Sequence, residues 1–509
     1  MKLKSKPVDR LSSGSAEFDW ILGGGFPTGS VSVIAGDPGT GKTVLTLQMM
    51  FHLARQGRRC LYCTTLSEPT LKLIRYVQGF DFFDPALLKE RIAIRDLGAA
   101  IRADGIASVA ARVKKDVERD EPDLVAIDSA KALHDFAPNQ GLRRVVFYDL
   151  AVTLAAWEST TFLVGEYRSD DVGELPEFAV ADCIIELRNR PRELTTLREV
   201  EVLKLRGSHY ESGRHFFDID ASGLTFYPRV QAPEQTGTAS PPTGERVSTG
   251  VKGLDALLGG GFPRHSTTVV EGSTGIGKTI LGLHFLVAGA RAGEPGVLLT
   301  LEETPEQLRG IGRGFGWNLR ELERRQRLAI HYTSPVELST DRFLHSARLM
   351  VERLHARRVV FDSLTSAALG VLSEPRFREL IHAMTKHFRA AGATCLMTSE
   401  VPEFLGATRL SGHGISPVAD NLILMRYLEI DGRLERALSV LKARGIAHDT
   451  AVRRLVIDPR GARVAGGFEG LRGVLTGMPR PVGESGRPAR TEGGPPQPNA
   501  KRSRRTRSR

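Results

Sequence analysis

Two glycine-rich segments end in Lys-Thr and could hold the phosphates of a nucleotide. GDPGTGKT occupies residues 36–43 and GSTGIGKT residues 272–279, and both fit the pattern G-x-x-x-x-G-K-[ST]. In such a loop, backbone N–H groups close around phosphate oxygens, the lysine adds charge, and the threonine hydroxyl can bind Mg²⁺. We therefore predict an ATP–Mg²⁺ site in each half of the chain. The predicted ligands are Gly36, Gly39, Gly41, Lys42 and Thr43, and in the second half Gly272, Gly275, Gly277, Lys278 and Thr279.

An aspartate follows an apolar run downstream of each loop. The runs are DLVAID, ending at Asp128, and RVVFD, ending at Asp362. An aspartate at a strand end beside a phosphate loop can hold Mg²⁺ through water. The alternative is a helix N-cap, because Asp followed by Ser is a common helix start. The duplication favours the metal role.

Between loop and aspartate the two halves differ in their acids. LLTLEET places Glu302 and Glu303 after an apolar strand, whereas CTTLSEP places Ser67 and Glu68 at the same count from the loop lysine. A glutamate in this position can polarise an attacking water or hydroxyl. The second half therefore keeps two candidate catalytic carboxylates and the first half keeps one.

A basic pair recurs near the end of each half. EVLKLRG contains Lys204 and Arg206, and SVLKARG contains Lys442 and Arg444. Residues two apart on a strand share a face, and no local acid is evident in the sequence. We expect these cations to act on an anion such as the γ-phosphate of a neighbouring subunit. Surface cations that guard an edge strand are the alternative.

The elements that must position these residues are duplicated too. RLSSGSAEFDWILGGGFP at 10–27 and RVSTGVKGLDALLGGGFP at 246–263 are identical at ten of eighteen positions. Each loop lies between an apolar run and an amphipathic run, which is the strand–loop–helix context that the motif requires. Alternating strands and helices predict an α/β fold of two tandem P-loop domains, each with a mostly parallel sheet. The expected boundaries are domains at 8–228 and 246–465, a flexible linker at 229–245, and a disordered basic tail at 466–509.

Length and composition exclude several classes of protein. A chain of 509 residues is too long for a single core. The sequence has no run of 18 apolar residues, so no membrane span is predicted. With only four cysteines, a reducing, cytoplasmic location is favoured. Cys60 and Cys63 form a CxxC on an expected strand, where their side chains would point to opposite faces. A buried strand is therefore favoured there over a metal or redox site.

The positive charge is concentrated in the tail. The chain carries a net charge of +11, and residues 471–509 hold ten Lys or Arg against two Asp or Glu. This Pro- and Gly-rich segment is either a solvated tail or an arm for nucleic acid or an acidic partner. The nearly neutral remainder gives no strong electrostatic case for nucleic-acid binding.

Taken together, these motifs resemble the KaiC family of clock ATPases and autokinases. The shared features are tandem RecA-like domains, GGGFP before each loop, EET after a strand, DS after the next, and LKxRG near each domain end. The resemblance covers about residues 8–462. It implies a double-ring homo-hexamer with ATP at subunit interfaces, autophosphorylation in the C-terminal ring, and a KaiB-like or other signalling partner. It also implies that Glu302 is the general base and Glu303 supports it, while the LKxRG cations act across the interface.

The family's phosphoacceptor site is altered in this chain. The family has adjacent Ser and Thr there, whereas this chain has Ser416 followed by Pro417. Proline has no hydroxyl, so Ser416 is the one candidate acceptor, and a Ser-Pro turn is its structural alternative. Two other functions remain open on the sequence: a nucleotide-driven switch without kinase activity, and a RecA-like nucleic-acid-associated ATPase.

Overall fold

The computed structural model describes residues 9–65, 70–137, 139–155, 159–167, 171, 174–192, 195–229, 244–371, 373–401, 418–474 and 480–481. Contacts divide the chain into two compact units, one holding the first of two large sheets and the other most of the second. The predicted domain boundaries stay predictions. Most of the expected linker and tail lies outside the described residues.

The first half is built on a nine-stranded sheet. Its described helices and strands, in chain order, are β1 (Arg10–Leu11), α1 (Ala16–Ile21), β2 (Phe26–Pro27), β3 (Val31–Gly36), α2 (Lys42–Arg55), β4 (Cys60–Thr64), α3 (Thr70–Val77), α4 (Pro85–Glu90), β5 (Ile92–Asp96), α5 (Leu97–Asp104), α6 (Ser108–Asp120), β6 (Leu124–Asp128), a 3₁₀ turn (Lys131–Phe136), α7 (Gln140–Ala155), β7 (Thr160–Gly165), α8 (Pro176–Val180), β8 (Cys183–Arg192), β9 (Thr195–Leu205), β10 (Arg214–Asp220) and β11 (Gly223–Tyr227). The sheet order is β11-β10-β9-β8-β3-β7-β6-β4-β5. Strands from β8 to β5 are parallel, and β8 to β11 form an antiparallel extension.

The second half repeats this plan. Its described elements are β12 (Arg246–Val247), α9 (Leu254–Leu257), β13 (Phe262–Pro263), β14 (Thr267–Gly272), α10 (Lys278–Arg291), β15 (Gly296–Thr300), α11 (Pro305–Gly314), α12 (Leu319–Arg324), β16 (Leu328–Tyr332), a 3₁₀ turn (Pro335–Glu337), α13 (Thr340–Leu354), β17 (Arg358–Asp362), α14 (Leu364–Gly370), α15 (Glu374–Ala390), β18 (Thr394–Glu400), β19 (Asn421–Ile430), β20 (Arg433–Ala443), β21 (Arg453–Asp458), β22 (Gly461–Gly467), β23 (Leu471–Arg472) and β24 (Arg480–Pro481). The order of the large sheet is β16-β15-β17-β18-β14-β19-β20-β21-β22. The predicted fold is confirmed: two tandem RecA-like domains, each a mostly parallel sheet flanked by helices.

The sequence explains why the central strands are buried. β3 is a continuous run of apolar or small residues, and β14 is similar except for Glu271. Every residue of both strands is buried, as expected for a parallel strand covered by helices on both faces. The parallel arrangement brings the carboxyl ends of these strands to one edge of each sheet. The phosphate loops and the following acids therefore meet at that edge.

The CxxC of β4 behaves as a buried strand. Cys60 packs in the core on one face of the sheet and Cys63 in the core on the other. Burial raises the pKa of Cys63 to about 12, so its thiol stays protonated. The described residues hold no group of three or more His, Cys, Asp or Glu that could bind a metal ion. No helix in the described part of the chain is long and apolar enough to cross a membrane.

Candidate functional site

The phosphate loop of the first half connects β3 to α2. Gly41 caps α2 with φ 98°, and a Cβ there would lie 2.6 Å from Ile219 Cδ1, so only glycine fits without displacement. The Lys42 ammonium is buried behind the loop and donates to the carbonyls of Gly36 at 2.9 Å and Asp37 at 2.8 Å. Burial lowers the pKa of Lys42. The lysine is thus held at the loop by backbone carbonyls that phosphate oxygens can replace.

The loop of the second half has the same construction. Gly277 caps α10 with φ 110°, and a Cβ there would meet Ile457 Cδ1 at 2.4 Å. The Lys278 ammonium donates to the carbonyls of Gly272 and Ser273, both at 3.0 Å. The structure therefore brings the predicted glycines and lysine together in both halves.

Asp128 lies against the loop threonine of the first half. Its Oδ2 accepts a hydrogen bond from the Thr43 hydroxyl at 2.7 Å and another from the Tyr62 hydroxyl at 2.6 Å. The following peptide bond is cis, as is the one after Asp362. Asp128 thus faces the position where the threonine would meet Mg²⁺, which is the placement that the metal prediction requires.

Asp362 occupies the same place in the second half but has a different anchor. It is buried at the end of β17, and its Oδ1 accepts a hydrogen bond from the Thr398 hydroxyl. Burial raises the pKa of Asp362, while the Thr398 and Thr279 hydroxyls lower it. Its Oδ2 is buried and accepts no hydrogen bond from the described residues.

Glu302 and Glu303 have different environments, although they are adjacent. Glu302 is exposed and accepts a hydrogen bond from the Ser363 hydroxyl. Glu303 is half-buried. Burial, together with the neighbouring Asp362 and Glu302 carboxylates, raises the pKa of Glu303 to about 7, although a hydrogen bond from Thr279 acts in the opposite direction. The exposed glutamate is therefore oriented toward solvent-accessible space, and the half-buried one faces the loop threonine.

Each site contains one more acidic residue that the sequence prediction did not include. Glu400 ends β18, lies 3.6 Å from the Lys278 ammonium and accepts a hydrogen bond from Thr274 at 2.9 Å. Glu166 follows β7 in the first half and raises the pKa of Lys42 electrostatically. The sequence signal that could have found these two residues is an acid at the end of an apolar run, LVGE for Glu166 and MTSE for Glu400.

The LKxRG cations lie away from the phosphate loop of their own half. Lys204 pairs across the sheet with Ile184, which pairs with Val33, three residues before Gly36. At the rise of a strand, this separation is about 10 Å along β3. In the second half, Lys442 pairs with Leu422, the partner of Val269.

Each arginine of these pairs has a local acid, which corrects the sequence interpretation. Arg206 lies 3.4 Å from Asp182, and Arg444 lies 3.6 Å from Asp420. The arginine side chains are 59% and 58% exposed, so these contacts contribute little stability. Each aspartate also accepts a backbone N–H at the start of the loop strand, from Val31 or Thr267. The arginines are thus only loosely held.

Several predicted residues cannot be placed. Ser67, Glu68, Ser416 and Pro417 lie outside the described residues. The acid of the first half and the candidate phosphoacceptor therefore stay predictions, and so does the role assigned to each site residue.

The residues present fit Mg²⁺ and the phosphates of ATP. Each loop presents glycines with positive φ, a lysine bonded to loop carbonyls, and a threonine hydroxyl. In the second half, Asp362 Oδ2 and Glu303 Oε2 are buried without a hydrogen-bond donor among the described residues. Hard cations prefer such carboxylate oxygens.

Two such loops on two mostly parallel sheets, each facing an aspartate on a neighbouring strand, define a tandem RecA-like P-loop protein. Comparison with known families makes the assignment specific. The family model for the KaiC ATPase matches residues 11–231 and 247–467, so the chain belongs to the KaiC ATPase family.

The sequence similarity to known proteins covers nearly the whole chain. The circadian clock oscillator protein KaiC of Thermostichus vulcanus is 30% identical over 486 residues, covering 93% of this chain and 92% of the relative. KaiC of Picosynechococcus sp. is 29% identical over 490 residues, covering 93% of each. The circadian clock protein KaiC3 of Synechocystis sp. is 28% identical over 500 residues, covering 94% and 96%.

Proposed function

We propose that both halves bind Mg²⁺-ATP, that ATP is hydrolysed where subunits of a homo-hexamer meet, and that the second half also transfers phosphate to a serine. The observation that carries this proposal is the exposed Glu302 carboxylate beside the buried Asp362 and the partly buried Thr279. An exposed carboxylate next to a phosphate loop can take a proton from an incoming hydroxyl. Ser416, the one candidate acceptor, is the proposed nucleophile.

The contacts of the loop residues suggest how the second half would work. The γ-phosphate would replace the carbonyls of Gly272 and Ser273 as partners of the Lys278 ammonium. Thr279 and Asp362 would hold Mg²⁺, which supplies charge neutralisation at the phosphate oxygens when bound. Glu302, oriented by the Ser363 hydroxyl, would remove the proton from the attacking oxygen.

The sites are proposed to be completed across subunit interfaces. Lys204 and Lys442 lie about 10 Å along the strand from their own loop. Arg206 and Arg444 lie farther from it, level with Val31 and Thr267 at the start of the loop strands. Exposed arginines that are loosely tied to an aspartate can reorient toward a phosphate at little cost. We infer that they act on the nucleotide of the adjacent copy.

The proposed physiological role is supported by the names of the similar proteins. Proteins 28–30% identical to this chain carry circadian clock names. We propose signalling or timing, with a KaiB-like or other signalling partner and a cytoplasmic location. Nucleic-acid binding would be an accessory property of the basic tail.

Nucleotide stoichiometry tests the two-site claim. Wild-type protein should bind two molecules of a fluorescent ATP analogue per chain in Mg²⁺. Lys42→Ala and Lys278→Ala should each reduce this number to one, because each removes the loop cation of one half. Binding of a single nucleotide by the wild type, unaffected by one of the two substitutions, would contradict the claim for that half.

A second candidate is a nucleotide-driven switch that hydrolyses ATP without modifying itself. Pro417 favours it, because proline removes the hydroxyl of one of the two acceptor positions found in the family. The two candidates differ in one outcome, which is whether ATP turnover leaves phosphate on the protein.

A further inference from the structure

The two halves hold their loop-facing aspartates by different hydrogen-bond donors. In the first half, Asp128 Oδ2 receives both hydrogen bonds, from Thr43 at 2.7 Å and from Tyr62 at 2.6 Å. Tyr62 is 1% exposed within β4, so its hydroxyl is fixed by the packing of its ring. The oxygen nearest the loop threonine therefore has two donors.

In the second half, one oxygen of Asp362 has no hydrogen-bond donor among the described residues. Leu298 occupies the position of Tyr62, two residues before the threonine that pairs with the aspartate. The donor is Thr398 on the other neighbouring strand, and it binds Oδ1 of Asp362. Oδ2 has no hydrogen-bond donor among the described residues. The counterpart of Thr398 in the first half is Val164, which pairs with Asp128 and has no hydroxyl group.

This difference bears directly on a divalent cation. A carboxylate oxygen has about two lone-pair sites, and both sites of Asp128 Oδ2 are filled. Cation binding would recruit the Thr43 hydroxyl and free one of them, but the Tyr62 hydroxyl would keep the other. A hydrogen bond to a carboxylate is also stronger when no cation draws on its charge. The tyrosine therefore stabilises the metal-free state more than the metal-bound state.

We infer that the Tyr62 hydroxyl competes with Mg²⁺ for Asp128 and makes the first site require more Mg²⁺ for nucleotide binding than the second. Tyr62 acts through Asp128 and is a positioning residue rather than a catalytic one. The inference rests on the proposed function, since it concerns the same Mg²⁺-ATP site.

The test uses the full chain carrying Lys278→Ala, so that only the first site responds. Binding of a fluorescent ATP analogue is titrated with Mg²⁺, and the Mg²⁺ concentration at half-maximal binding is recorded. Tyr62→Phe removes the hydroxyl and keeps the ring. We expect this substitution to lower the half-maximal Mg²⁺ concentration by about tenfold, equivalent to about 1.4 kcal/mol. An unchanged or higher concentration would overturn the inference.

The reverse exchange tests the second site independently. Leu298→Tyr, in a chain whose first site is silenced by Lys42→Ala, places a hydroxyl at the position that the first half uses. It should raise the Mg²⁺ requirement of the second site, and a decrease would contradict the inference. If Tyr62→Phe does not fold, this variant still decides the question.

Failure of the inference and failure of the proposed function give different results. If the parent chains bind the nucleotide in Mg²⁺ but neither Tyr62→Phe nor Leu298→Tyr changes the half-maximal Mg²⁺ concentration, only the role of Tyr62 is wrong. If neither silenced parent binds nucleotide at any Mg²⁺ concentration, the proposed function itself is wrong.

Discussion

Substituting Glu303 by glutamine should stabilise the nucleotide-free protein, and the gain should depend on pH. Glu303 is half-buried beside Asp362 and Glu302. Burial and these two carboxylates raise the pKa of Glu303 from 4.5 to about 7. Glu303→Gln keeps the shape of the side chain and removes its charge. It therefore relieves a repulsion that exists only where Glu303 is ionised.

The sign of the effect follows from proton linkage. Because the pKa is higher in the folded protein, the folded state holds a proton through the range from pH 4.5 to about 7, where the unfolded chain has lost it. The wild type is therefore not penalised below pH 4.5, loses stability as the pH rises from 4.5 to about 7, and carries the full penalty above that. The shift sets a ceiling of about 3 kcal/mol, and solvent screening of a half-exposed group reduces it to about 1–2 kcal/mol.

Thermal unfolding without nucleotide or Mg²⁺ measures this difference. At pH 8.5, Glu303→Gln should raise the unfolding temperature of the second half by about 2–6 °C, and at pH 4.5 the two proteins should differ little. Glu302→Gln is the matched control, since the exposed Glu302 should give a smaller change. The same difference between Glu303→Gln and wild type at both pH values would refute the reasoning.

Three other substitutions have expected results. Arg206→Ala should reduce ATP hydrolysis by the assembled protein on the order of 10³-fold without changing ATP affinity in the isolated subunit, and an unchanged rate would count against the interface role. Gly277→Ala should weaken nucleotide binding to the second half in a fluorescence titration, because its φ is 110° and the new Cβ would meet Ile457; wild-type affinity would contradict this. Thr398→Val should lower unfolding stability by about 1–3 kcal/mol, because it leaves the buried Asp362 without its donor; a neutral result would show that another group replaces the hydroxyl.

The duplicated fold could be predicted because its signals are local. The loop glycines, the lysine and the threonine lie within eight residues, and the aspartates end uniform apolar runs. Parallel strands bring such strand ends to one edge, so the grouping of Thr43 with Asp128 follows from the pattern. The repeated segments and the count from each loop lysine then give the register between the two halves.

The remaining contacts depend on neighbours that are distant in sequence. Asp182 and Arg206 lie 24 residues apart and meet because β8 and β9 are antiparallel neighbours. An aromatic residue in a buried strand such as β4 indicates core packing, and nothing in the sequence shows that the Tyr62 hydroxyl reaches Asp128. The raised pKa of Glu303 likewise depends on which side chain the turn after β15 buries.

Phosphate transfer to the protein tests the central claim most directly. Purified protein is incubated with ATP labelled at the γ-phosphate and Mg²⁺, and any label is located by mass spectrometry, with Glu302→Gln as the matched variant. We predict label on Ser416 in the wild type and none in Glu302→Gln, which should still bind ATP. ATP consumed by the wild type with no label on the protein would contradict phosphotransfer and identify a nucleotide-driven switch.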